Sequence, residues 1–284
     1  RPTVPVPSWG STCSWIRLIP ECPDRPVGSF SRVSEARSAA FFDLDKTLMA
    51  GSSGMEFAKV ARDRGFITRP QMVRWAWDHT LYRLRGATDE ETEQLIDVAK
   101  ETLSSVTAVD MERMWPPILA GILRKVSPQM LAEIHRHQDD GRPTYIVSAA
   151  GSEMVVSLAR VLSMDGGIGT RWAVGDDGLY TGDMEGSFVY GPGKVKEMEI
   201  VAEADNLDLS TSWAYSDSIS DLPMLEAVGH PVVVNPDSAL AKLASDRGWQ
   251  VMRFDRLGRN LALGATVGAV MLAAGLTVWL QDKE

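Results

Sequence analysis

A chain of 284 residues has room for one large domain or two modest ones, and its 44% apolar and 24% charged residues are globular composition that excludes disorder. Its net charge of −9 excludes a general nucleic-acid binder, which needs a positive field. The two cysteines, Cys13 and Cys22, form neither a disulfide scaffold nor a metal motif and read as incidental thiols.

In chain order, residues 1–38 are rich in Pro and Ser, lack periodicity, and read as a flexible leader; no basic segment followed by an apolar one marks a secretory signal. The run Ala39-Ala40-Phe41-Phe42 then closes on Asp43-Leu44-Asp45-Lys46-Thr47. An apolar run without helical period, ending in acids, predicts a buried strand with an acidic carboxyl end, which is where open α/β sheets bind ligands. Carboxylates one residue apart repel unless a cation lies between them, and Mg²⁺ is the usual solution. Such a pair alone is equally a solvated turn, so the remaining chain decides.

Gly51-Ser52-Ser53-Gly54 predicts a hinge-like loop. From Met55 to about residue 126 the pattern is helical, with Val73, Trp77, Leu81 and Leu84 in one stripe and Trp75, His79 and Tyr82 in another. Lys59, Arg62, Arg64, Arg69, Arg74, Arg83 and Arg85 outnumber Glu56, Asp63 and Asp78 there: a solvated face, or an attraction to anionic substrate or lipid head groups. A helix over 128–138 ends near Gly141, and Thr144-Tyr145-Ile146-Val147 predicts a strand. That strand closes on Ser148-Ala149-Ala150-Gly151-Ser152 before a helix over 153–162, an arrangement that turns backbone N–H groups and a positive helix end toward an anion. Residues 168–190, with Asp177-Gly178, predict a hairpin. Lys194 opens a helix against the dipole's preference, and its charge is therefore free to serve a crevice. The strand 212–215 ends in Ser216-Asp217-Ser218-Ile219-Ser220-Asp221; Asp221 is placed to cap the helix from Leu222, whereas Asp217 has no such role. Strands follow over 231–235 and 250–254.

Leu261 to Leu280 carries no charge. As a helix it is about 30 Å long, the thickness of a bilayer's hydrocarbon core. Arg247, Arg253, Arg256 and Arg259 precede it and only Lys283 follows, which predicts a single-pass anchor over 260–281 with the folded domain in the cytoplasm. Gly264 and Gly268 form a small-xxx-small pair suited to a homodimer through that helix.

Together, Asp43-Leu44-Asp45-Lys46-Thr47, the Ser148 strand end, Lys194 and Ser216-Asp217-Ser218-Ile219-Ser220-Asp221 resemble, in order, the four motifs of the haloacid dehalogenase superfamily, over about residues 39–255. The insertion between the first two motifs resembles the cap of its phosphoserine phosphatase branch, and the anchor that of membrane-bound actinobacterial members. The resemblance implies a Rossmann-like three-layer α/β core (39–53 and 127–258), a helical cap (54–126) and the transmembrane helix. It implies that Asp43 is the nucleophile on a phosphomonoester, that Asp45 is general acid and then base, and that Thr47, Ser148 and Lys194 hold the phosphoryl group. It further implies Mg²⁺ held by Asp43, the Asp45 carbonyl and Asp217, with Asp221 in support. The chain departs from that branch where Gly51-Ser52-Ser53 replaces a substrate-binding Glu (Glu56 comes a turn later), at Ala149-Ala150, and at Ser220. The expected function is a Mg²⁺ phosphatase at the cell membrane, acting on a lipid or lysolipid phosphate. A phosphoserine-type small-metabolite phosphatase and a non-catalytic membrane scaffold are the competing expectations.

Overall fold

The computed structural model describes residues 36–70 and 106–254, together with Ile96, Lys100 and Leu103. Its strands are β1 (Ala40–Asp43), β2 (Thr144–Gly151), β3 (Gly166–Thr170), β4 (Trp172–Val174), β5 (Tyr180–Met184), β6 (Trp213–Ser216), β7 (His230–Val234) and β8 (Gln250–Met252). Its helices are α1 (Ser53–Asp63), α2 (Ala108–Leu123), α3 (Pro128–Asp139), α4 (Ser152–Val161), α5 (Pro192–Ala204), α6 (Leu222–Glu226) and α7 (Ser238–Arg247).

The uninterrupted apolar run of β1 is buried at every residue, as a strand covered on both faces must be. β1 lies inside a parallel sheet ordered β3-β2-β1-β6-β7-β8, while β4 and β5 pair antiparallel as a separate hairpin. Alternate residues feed two cores. Phe42, Ile146, Val232 and Val234 pack with Met130 and Ile134 of α3 and Met154 and Leu158 of α4. Phe41, Tyr145, Val147 and Val233 pack with Met198 of α5, Met224 of α6 and Leu240 of α7. The result is the expected three-layer α/β/α core, with β1 central and Asp43 at its carboxyl end.

Three local expectations change. β3 was not among the expected strands, because Gly166, Gly167 and Gly169 read as turn residues. A Cβ on Gly167 would come 2.7 Å from the backbone of Val155, so the strand is glycine-rich to let α4 lie directly against it. β8 stops at Met252 instead of 254, since the Phe254 amide leaves the ladder and donates to Asn235 Oδ1 at 3.0 Å. α5 opens at Pro192 rather than Lys194, Pro being suited to a first turn that needs no N–H donor.

Of the stretch expected as a cap, α1 and α2 are described and pack on each other. The connections to the core run side by side, Ala50 N–H donating to the Lys125 carbonyl at 2.8 Å and Ser127 N–H to the Leu48 carbonyl at 2.9 Å. The stripes at 73–84, residues 1–35 of the leader expected over 1–38, the anchor over 260–281 and its Gly264/Gly268 pair lie outside the described residues. Among those described, no helix is long and apolar enough to cross a membrane.

Below the sheet, Arg142 Nε donates to His137 Nδ1 at 2.8 Å, which leaves the ring proton on Nε2, 2.7 Å from the Tyr215 hydroxyl. Tyr215 donates to Glu133 at 3.1 Å and stacks on Phe42 at 4.5 Å. Burial, reinforced by the charges of Arg136 and Arg142, pushes the His137 imidazole down to about 3 from the usual 6.5. The unfolded chain therefore binds a proton below pH 6.5 that the folded chain refuses until about pH 3, so stability falls as pH drops through that window. Between pH 7 and pH 5 the loss from this residue is expected to be about 2 kcal/mol. Thermal melts of His137→Gln should lack that part of the slope; identical slopes in variant and wild type would refute the assignment.

Candidate active site

The site is assembled at the carboxyl ends of β1, β2 and β6. Asp43, the last residue of β1, is 7% exposed. Beyond it the chain turns back through Lys46 in the left-handed region (φ 63), with Leu48 N–H bonded to the Asp43 carbonyl at 3.2 Å. That turn presents Asp45, whose two carboxylate oxygens accept from Ser53 N–H at 2.8 Å and Ser52 Oγ at 3.0 Å. The loop expected as a hinge thus anchors the second acid at the start of α1.

Lys194, 3% exposed, reaches from α5 to Asp43 Oδ1 at 2.6 Å and to Asp221 Oδ2 at 2.8 Å. Asp221 precedes α6 but makes no side-chain cap to it. Its carboxylate turns inward to Lys194 and to the Ser216 hydroxyl, which donates at 2.7 Å. Asp217 follows β6 and is buried, and its carbonyl accepts from Asp237 N–H at 3.1 Å. Ser148 on β2 is buried, with its Oγ accepting from Ala150 N–H at 3.2 Å.

Asp43, Asp45, Ser148, Lys194, Asp217 and Asp221 all line one cavity of about 270 Å³. Burial pushes the Asp43 carboxyl up to about 7; Lys194 pulls it back, and Asp221 and Asp217 push it further up. Burial alone would lower the Lys194 ammonium, but Asp221 and Asp43 more than offset this and hold it above its usual value. One lysine against these acids leaves excess negative charge in a largely buried site. The site consequently suits a hard divalent cation, and Asp43 and Asp217 are close enough to feel each other's charge. Among the described residues no three His, Cys, Asp or Glu side chains group to hold a metal by themselves.

One expected site residue, Thr47, lies outside the cavity lining. It is 1% exposed and its Oγ1 has no hydrogen-bond partner. A buried hydroxyl without a hydrogen-bond partner costs desolvation, so Thr47→Val should raise stability by about 1 kcal/mol in denaturant melts and leave phosphate release unchanged. A large loss of activity in that variant would restore Thr47 to the phosphate site. Glu56, also buried, turns away from the cavity: Lys125 and Lys59 bind its Oε1 at 2.7 and 2.8 Å and, against its burial, hold its carboxyl below the usual range.

What the sequence did not reveal is the wall. Phe57, Trp115, Trp172, Tyr180, Phe188 and Tyr190 line the cavity with Met111, Ile118 and Met154. They come from α1, α2, α4, the β4–β5 hairpin and the segment before α5, and no local spacing joins them.

A doubly wound α/β fold thus brings acids from separate segments onto one lysine at the carboxyl edge of its sheet. Residues 40–226 match the family model of haloacid dehalogenase-like hydrolases, and the chain belongs to that family. It is 36% identical over 272 residues to a probable phosphatase of Mycobacterium tuberculosis, covering 90% of this chain and 92% of that protein. It is 30% identical over 252 residues to the phosphoserine phosphatase SerB1 of the same organism, covering 84% and 80%. A crystal structure of a protein of unknown function from Bordetella pertussis matches with a TM-score of 0.66 at 30% identity, covering 76% of this chain and 98% of that one.

Proposed function

We propose that the protein is a Mg²⁺-dependent phosphomonoester hydrolase working through an aspartyl-phosphate on Asp43. The observation that carries this reading is the Asp43–Lys194–Asp221 ion triad at the end of β1, beside Asp45, Ser148 and Asp217. Relatives named phosphatases support it.

Phosphate monoesters hydrolyse slowly because a dianion must accept a nucleophile, so the site must neutralise charge and fix geometry. Asp43 attacks phosphorus while Lys194 holds a phosphoryl oxygen and Ser148, with the N–H groups at the start of α4, holds the others. Asp45, oriented by Ser52 and Ser53, gives its proton to the leaving alkoxide and later takes one from the attacking water. Asp221 keeps Lys194 charged and aimed. Mg²⁺, when bound by Asp43, Asp217 and the Asp45 carbonyl, would neutralise the excess carboxylate charge and polarise the phosphoryl oxygens.

The cavity wall favours an apolar or aromatic leaving group. Glu56, the nearest counterpart of the ammonium-binding acid, is already held by two lysines, which weighs against phosphoserine itself. A lipid or lysolipid phosphate at the cytoplasmic leaflet is the reading that the uncharged stretch 261–280 and the arginines before it favour. A phosphate-release screen over soluble and lipid phosphomonoesters, with Mg²⁺ and with EDTA, tests both parts. Release without any metal requirement would remove the ion from the scheme, and release from no monoester at all would remove the enzyme.

A further inference from the structure

We propose that Glu197 is a positioning residue for leaving-group recognition: it locks the aromatic wall of the cavity to the helix that carries Lys194. The inference rests on the phosphomonoesterase reading and adds to it the device that aligns substrate body with phosphoryl group.

Glu197 lies one turn beyond Lys194 on α5 and is 3% exposed, and its carboxylate bonds to Ser187 and Arg171 instead of the acids and lysine of the site. Its Oε1 accepts from the Ser187 N–H at 2.8 Å, and its Oε2 pairs with Arg171 at 3.1 Å. Arg171 sits at the root of the β4–β5 hairpin, immediately before Trp172. Ser187 opens the returning segment, immediately before Phe188. One carboxylate thereby joins three pieces of chain: the hairpin bearing Trp172 and Tyr180, the segment bearing Phe188 and Tyr190, and the helix bearing Lys194. Phe188 is held from both sides, because Val189 N–H donates to Thr170 Oγ1 at 3.2 Å, and that hydroxyl donates in turn to the Ala149 carbonyl beside Ser148. Gly186 (φ +103) has no room for a side chain: a Cβ would lie 2.5 Å from Arg171 Nη2 and 2.8 Å from Glu197 Oε1. A buried carboxylate whose two oxygens are spent on two wall segments fixes relative position, and errors of an ångström in such placement are felt in turnover.

The test compares p-nitrophenyl phosphate, whose ring reaches the wall, with acetyl phosphate, whose leaving group is too small to do so. Glu197→Gln keeps an acceptor for Ser187 but removes the ion pair; Glu197→Ala removes both. KM for the aromatic ester should rise about tenfold in the Gln variant and up to about 100-fold in the Ala variant, with kcat/KM for acetyl phosphate within about threefold of wild type. Equal losses on both substrates would make Glu197 a merely structural residue, and no change on either would dismiss it; both overturn the proposal. Thermal melts identify a variant that has not folded. The Gln variant then carries the test alone, since the Arg171 side chain is 45% exposed and can hydrate once unpaired. If wild type turns over neither, the same variants are compared on the best and the smallest esters from the phosphate-release screen; release from no monoester in that screen would overturn the phosphomonoesterase reading, and this proposal with it.

Discussion

Asp43→Asn should abolish phosphate release, by at least about 1,000-fold in kcat, and leave the fold intact. The amide has nearly the shape of the carboxylate but cannot form the acyl-phosphate bond. It also removes a charge that burial and two neighbouring acids already disfavour, a change that folding tolerates. Phosphate release by malachite green and a thermal melt on the same preparation check both halves. Residual turnover above about one per cent would mean that another group attacks phosphorus and that Asp43 serves only to bind charge.

The second large effect is expected at Lys194. Its ammonium is the cation recorded against both Asp43 and Asp221, and all three side chains are at most 10% exposed. Lys194→Met keeps the length of the chain but leaves two buried carboxylates facing each other, at a cost of about 3–5 kcal/mol. Two results are expected together: a melting temperature many degrees lower and phosphate release lost. Mg²⁺ should recover part of the stability, because it supplies positive charge to the same acids, and none of the activity that needs the lysine on a phosphoryl oxygen. A stability unchanged in both conditions would show that the triad is solvated and that burial has been misjudged. Asp221→Asn offers a finer comparison: it spares one of the lysine's two partners and should lower activity while costing far less stability than the lysine change.

The polar residues that line the cavity were legible because each has a chemical reason to sit at a strand end or helix start. Asp43 and Asp45 close an apolar run, Ser148 ends the next strand, and Asp217 ends the third, so a parallel sheet must collect them on one edge. The rest was hidden for reasons equally physical. β3 was obscured because glycines chosen for contact with α4 carry the composition of a turn. Thr47 was placed in the phosphate site by the resemblance, but its hydroxyl is buried and it does not line the cavity. Asp221 stood where an N-cap stands, and the nearby ammonium of Lys194 competed more strongly for its carboxylate than the helix did. Glu56 stood a turn past the place where the resembling branch carries its substrate-binding acid, and only the fold shows that Lys59 and Lys125 hold it.

The order of acids, serine and lysine along the chain determined the family, the class of chemistry and the polarity of the sheet. These depend on short segments whose hydrophobic pattern fixes local structure and whose polar residues terminate it. Which side chains form the substrate wall, and what holds that wall in register with Lys194, depends on contacts between residues far apart in the chain. Trp115, Trp172, Tyr180 and Phe188 share no periodicity, and Glu197 meets Arg171 and Ser187 only after the hairpin has folded back on α5. Packing decides such contacts, because the apolar surface that a ring buries is the same whichever partner it finds, and only the assembled fold selects one.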